Sequence, residues 1–309
     1  MSLLHRTLKV HDQKSLNLVL AAIERAERNG LEAPGIADED ARIVFAMQII
    51  ESIRRVQFAT GLLDRRASAE RASHQSSLFD PIRGAAHLGM QGDQDEASWL
   101  VFLATHFGQR PGSKWALVRA FYSGDQHGPW TWKRASTYVD QMLTWLESSK
   151  DLLKSAGKFG GHRPYESLGA SGTGATLGSY VEWVNSYGSH ADMFERAYEA
   201  SGHDGGLAFA FLYEDMKKVK RFGRLAKFDY LCMLGKLDVA NIWPLSMYVA
   251  SSTGPKRGGA LLLGQGATAA QMEKAAQLLD AEMKVGMQVF EDALCNWQKS
   301  PTKFVSYRG

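Results

Sequence analysis

The chain has 309 residues, with 36 Lys+Arg against 33 Asp+Glu and a formal net charge of +3. Apolar residues make up 45% and charged residues 22%, which excludes intrinsic disorder and a collagen-like composition. Two cysteines, Cys232 and Cys295, share no CxxC or framework spacing, which excludes a disulfide-stapled scaffold and points to free thiols in a reducing compartment.

The elements read in order as helices. Leu16, Val19, Leu20 and Ile23 share one face of a first helix that Gly30 stops. Asp38 is placed to cap a longer second helix through Ile43, Met47, Ile50 and Ile53. Ser68 to Gln94, rich in Ser, Gly, Gln and His, reads as a loop, and the apolar WLVFLATHFG segment (Trp99 to Gly108) follows it. Helices are expected at Ser113 to Tyr122 and Trp132 to Lys154. Gly157 to Gly178, with seven glycines and one proline, interrupts the helical rhythm. Helices resume near Ser179. Thr268 and Gln271 predict a capping box for a last long helix reaching Trp297.

Alternating β-branched runs are almost absent, so the fold class is all-α. The expected organisation is an N-terminal helical lobe over 1–156, a glycine-rich site loop over 157–178 and a C-terminal helical lobe over 179–309. The N-terminus lacks the apolar core of a signal peptide, and no apolar run approaches a bilayer span. A cytoplasmic protein without membrane attachment is the expectation.

Standard motifs are missing. The sequence has no HExxH, clustered Cys/His spacing, GxxxxGK[ST] loop or GxSxG elbow, so neither a metal site nor a cofactor is expected. Gly172, Gly174 and Gly178 miss the dinucleotide spacing by one residue and follow no strand.

The strongest local signal is electrostatic. Lys217, Lys218, Lys220, Arg221, Arg224 and Lys227 fall within eleven residues that hold no acid. They surround Gly223 between two helical stretches. A glycine turn there frees backbone N–H groups at a helix start, an arrangement that grips phosphate without reading sequence. A solvated basic face gives the same pattern. Arg54 and Arg55, and Lys256 with Arg257, are further candidate phosphate contacts.

Candidate chemistry lies in KFGGHRPYESLG (Lys158 to Gly169), which concentrates His162, Arg163, Tyr165 and Glu166. An aromatic ring, a cation, an imidazole and a carboxylate in one loop suit stacking on and polarising a base. Asp229 and Asp238 follow the hairpin as carboxylates able to face a developing oxocarbenium, or as members of surface ion pairs. Lys227 is either a phosphate contact or an amine nucleophile.

The blocks ESIRRVQF (Glu51–Phe58), WLVFLATHFG, FGGHRPYESL (Phe159–Leu168), FGRLAKFDYLCMLGKL (Phe222–Leu237) and TGPKRGGALLLG (Thr253–Gly264) resemble the alpha-glutamyl/putrescinyl thymine pyrophosphorylase-like proteins of clade 3. The resemblance implies a two-lobed helical bundle like that of helix-hairpin-helix DNA glycosylases, with the hairpin element over about 208–237. It further implies double-stranded phage DNA as partner, base flipping, and excision of a modified base such as glucosylated hydroxymethylcytosine in anti-phage defence. Gly223 then becomes the hairpin glycine, Asp229 the carboxylate of the FDYL block, and His162, Arg163, Tyr165 and Glu166 the site loop. This chain departs from the usual pattern, keeping one hairpin glycine and having Trp243-Pro244-Leu245 where a catalytic aspartate is expected. Asp229, Asp238 and Glu166 therefore all stay open, with Asp229 the first choice and Asp229→Asn expected to abolish base release. A transferase acting on pyrophosphorylated thymine, or a non-enzymatic DNA-binding module, also fits.

Overall fold

The computed structural model describes residues 10–65, 68–160 and 166–306. Among them are fifteen α-helices and no strand; the only β features are isolated bridges at Arg110–Lys114 and Asp125–Gly128. The protein is all-α. No helix among the described residues is long and apolar enough to cross a membrane.

The chain divides into two units, Met1–Phe58 with Pro244–Gly309, and Ala59–Trp243. These breaks differ from the expected boundaries at 156 and 178. The glycine-rich section lies inside the second unit, and the first unit is assembled from both ends of the chain.

In the first unit, α1 (Val10–Arg28) and α2 (Glu39–Thr60) join α13 (Gly254–Leu263), α14 (Ala269–Met283) and α15 (Met287–Trp297). Leu16, Ile23, Phe45, Ile49, Leu279, Phe290 and Trp297 form its core, with Phe45 4.9 Å from Trp297. Asp38 caps α2 through Ala41 N–H, and the Thr268–Gln271 capping box is present. The expected single last helix is broken in two. Lys284 and Gly286 adopt positive φ, and Asp280 Oδ1 accepts from the N–H groups of Val285 and Gly286 at 2.8 and 2.7 Å, which fixes the break.

The second unit holds α3 (Pro81–Met90), α4 (Gln94–Phe107), α5 (Ala116–Ser123), α6 (Trp132–Thr137), α7 (Val139–Ser148), α8 (Lys150–Ala156), α9 (Ala175–Asn185), α10 (His190–Ala200), α11 (Gly205–Asp215) and α12 (Arg224–Lys236). Beyond its polar first turn helix α4 is buried on almost every side, with Trp99, Leu100, Val101, Phe102 and Leu103 sealed from solvent. Tyr180 of α9 stacks on Phe102 at 3.5 Å and Phe222 packs at 5.0 Å.

Three expectations change here. The loop expected over Ser68 to Gln94 contains α3, because Asp80 accepts from Ile82 and Arg83 N–H and Pro81 starts the helix. The expected Trp132–Lys154 helix is three helices, interrupted at Tyr138 and Ser149. The glycine-rich section already turns helical at Ala170, as a π-helical turn leading into α9. A Cβ on Gly172 would lie 2.2 Å from Ser167 Oγ, so glycine is required where these segments cross.

Candidate functional site

Met216 to Lys218 form a 3-10 turn after α11, and α12 starts at Arg224. The connection is fastened from below by apolar side chains. Val219 and Phe222 are buried, and Phe222 packs against Phe102 and Tyr230. Lys220 N–H donates to Ser179 Oγ at 2.8 Å. Asp215 accepts from Trp183 Nε1 at 2.6 Å and Tyr187 Oη at 2.7 Å, and pairs with Lys218 at 2.5 Å. Burial alone would raise the Asp215 carboxyl, but these bonds and the Lys218 charge hold it below its ordinary value.

Lys217, Lys218, Lys220 and Arg221 consequently stand exposed on a fixed turn. The left-handed residue of that turn is Arg221 (φ 60°), where the sequence suggests Gly223. Gly223 is the extended N-cap of α12, exposed, with open space where a Cβ would stand. No side chain caps α12, and its first internal bond runs from Lys227 N–H to Gly223 O. The N–H groups of its first turn thus have no acceptor within the helix, in a stretch that carries the cations.

Lys227 corrects the surface reading. It is buried, donates to Tyr213 O at 3.0 Å and lies 4.1 Å over the Tyr213 ring; burial lowers its pKa. It braces α11 against α12 and is not available to a phosphate. Arg224 is half-buried, its guanidinium 5.2 Å over the Phe228 ring.

Of the carboxylates, Glu166 comes against the hairpin, with Oε2 3.8 Å from Arg221 Nη2 and a side chain 17% exposed. No hydrogen-bond donor among the described residues reaches that buried oxygen. Asp229 is half-buried in the second turn of α12, about 9 Å along the axis from Gly223 at 1.5 Å per residue. Asp238 is exposed just past the end of α12, whose 13 residues span about 20 Å at that rise. Its positive φ of 53° ends the helix, a structural role. His162, Arg163 and Tyr165 lie outside the described residues.

The remaining expected DNA contacts belong to the first unit. Arg55 is engaged by Asp292 at 2.6 Å and Glu51 at 3.7 Å, so it serves an internal ion pair. Arg54 is exposed, as are Lys256 and Arg257 in the first turn of α13.

A model of the alpha-glutamyl/putrescinyl thymine pyrophosphorylase clade 3 family matches residues 40–309. The chain belongs to this family. No curated protein and no solved structure matches it.

This clade 3 member also carries linked buried and half-buried polar groups that the sequence does not announce. Asp95 Oδ1 meets His190 Nδ1 at 2.8 Å, His190 Nε2 meets Tyr180 Oη at 2.7 Å, and Tyr180 Oη meets Tyr230 Oη at 2.8 Å. The neighbouring Glu96 accepts from Tyr122 Oη at 2.6 Å and Trp132 N–H at 2.7 Å. Burial pushes Glu96 up to about 7, against those two bonds and with help from the Asp93 and Asp95 charges. Among the described residues no group of three His, Cys, Asp or Glu is placed to hold a metal ion. Cys232 and Cys295 are not joined in a disulfide, the first being buried and the second half-buried.

Glu96 carries a stability prediction. Its folded pKa lies above the 4.5 of the free group, so its contribution is complete below pH 4.5 and lost as pH rises through 7. At 1.36 kcal/mol per unit the loss is about 3 kcal/mol. Gln reproduces the protonated acid, accepting from Trp132 N–H and donating to Tyr122 Oη. Glu96→Gln is therefore expected to gain about 2–3 kcal/mol over the parent near pH 8.5 and nothing near pH 4.5. Urea unfolding across that range checks it; parallel curves for the two proteins would refute the burial argument.

Proposed function

We propose that the protein is a DNA glycosylase that flips a modified base out of double-stranded phage DNA and excises it, in defence against phage. Glucosylated hydroxymethylcytosine is the proposed base. The observation that carries this reading is the hairpin, a braced turn with four exposed cations beside the uncapped start of α12, and with Glu166 against Arg221. Such a surface suits duplex phosphates. Glu166, a carboxylate still 17% exposed beside Arg221, suits a positive sugar as the bond to the base breaks. Water then completes the hydrolysis, leaving the free base and an abasic site.

The test incubates the protein with unmodified, hydroxymethylated and glucosylated-hydroxymethylated phage DNA, scoring abasic sites by alkaline cleavage and released base by mass spectrometry. Release from the glucosylated DNA alone is expected. No release from any of the three refutes the reading. In the same preparation, the double variant Lys220→Ala/Arg221→Ala is expected to flatten the slope of log affinity against log salt by about 2, near 0.9 per phosphate contact.

The family's description favours a second reading, in which the chain displaces pyrophosphate from an activated thymine in phage DNA and installs an amine. That reaction leaves the glycosidic bond intact. Its product is an altered nucleoside in hypermodified DNA, without an abasic site.

A further inference from the structure

A cleft of about 460 Å³ opens in the second unit, lined by Ser77, Phe79, Lys114, Trp115, Arg119 and Ser123 among others. Its size falls in the range of small-molecule sites. Among the described residues the lining contains two cations and no carboxylate, so its electrostatics favour an anion. The aromatic residues supply a flat apolar surface beside those charges.

The walls are held in place. Phe79 stacks on Tyr122 at 5.8 Å, and Tyr122 is tied to Glu96. Lys114 sits at φ 49°, locked by reciprocal bonds with Arg110, Lys114 N–H to Arg110 O at 2.7 Å and Arg110 N–H to Lys114 O at 3.1 Å. Trp115 follows immediately and is half-buried in the cleft wall.

We infer that this cleft binds a nucleotide, its phosphate against Lys114 and Arg119 and its base against Trp115. Arg forms paired bonds to phosphate oxygens, Lys adds a point charge, and an indole face stacks on any base. The inference does not rest on the glycosylase reading, because its readout is equilibrium binding and requires no base release. The nucleotide chemistry has two sources, a free mononucleotide or one unit of a DNA single strand.

Calorimetry with dCMP and with a 5′-phosphorylated single-stranded trinucleotide distinguishes the sources. Saturable binding of either is expected, weakened about tenfold or more by Lys114→Ala and by Arg119→Ala. Deoxycytidine and inorganic phosphate are expected to bind at least about tenfold more weakly than dCMP. Thermal melts check that each variant folds; Lys114→Gln, at an exposed turn position, serves if Arg119→Ala does not. Binding of neither probe, binding that ignores these substitutions, or equal binding of deoxycytidine or inorganic phosphate overturns the inference.

Discussion

Glu166→Gln is expected to lower base release by at least about a hundredfold while DNA affinity stays within about twofold of the parent. The argument rests on what the substitution keeps and what it removes. Gln has the shape of Glu, so packing around a side chain that is 17% exposed survives. The negative charge disappears, and with it the attraction for a sugar that turns positive as the base departs. Arg221 loses an anionic neighbour at 3.8 Å, which leaves it at least as available to a phosphate. Affinity is thus unchanged or slightly higher, and the loss appears in single-turnover release alone. Asp229→Asn and Asp238→Asn are the comparison, with Asp238 past the opposite end of α12 from the hairpin. Both are expected to retain release. If Asp229→Asn abolishes release and Glu166→Gln does not, the carboxylate is Asp229, and Glu166 is only the structural partner of Arg221.

Much of the helical layout was legible because its signals are local. Asp38 and the Thr268–Gln271 pair announce helix starts by short-range hydrogen bonds, and both are made. The basic run around Gly223 was legible too, since charge density needs no fold to be counted. Composition misled where one capping residue outweighed it: Asp80 and Pro81 start α3 inside a stretch of Ser, Gly and Gln. Burial was the harder matter. Lys227 reads as a surface cation until Tyr213, fourteen residues earlier, is seen to accept its ammonium hydrogen bond. Asp95 and Glu96 belong to no motif that the sequence shows. Their partners His190, Tyr122 and Trp132 lie on other elements, so no spacing links them.

His190→Ala is expected to destabilise the protein by about 3–5 kcal/mol, more than any other single change in the buried polar chain. Burial lowers the His190 pKa against the pull of Asp95, so the imidazole is neutral, with one donor and one acceptor. Asp95 is a carboxylate: burial would raise it, yet the His190 bonds and charge hold it below its ordinary value. A carboxylate only accepts, which places the imidazole proton on Nδ1. Nε2 then accepts from Tyr180 Oη, and Tyr180 Oη accepts from Tyr230 Oη. The chain therefore has a direction, and it joins α10, α4, α9 and α12. That direction ranks the variants. Removing His190 opens a cavity, strips Asp95 of its side-chain donor and leaves the Tyr180 hydroxyl unpaired. Tyr180→Phe orphans a buried donor and a buried acceptor, about 2–4 kcal/mol, whereas Tyr230→Phe leaves Tyr180 its own donated bond and costs about 1 kcal/mol. Urea unfolding that puts Tyr230→Phe above Tyr180→Phe would reverse the assigned direction. Acid adds an independent reading. Because the folded His190 pKa is depressed, its stabilising effect is complete above the unfolded value of about 6.5 and declines as pH falls through the folded value. Asp95, also depressed, loses its contribution as pH falls from about 3.9 toward its own folded pKa. His190→Ala removes the first of these two steps, so its stability should change less than the parent's just below about pH 6.5.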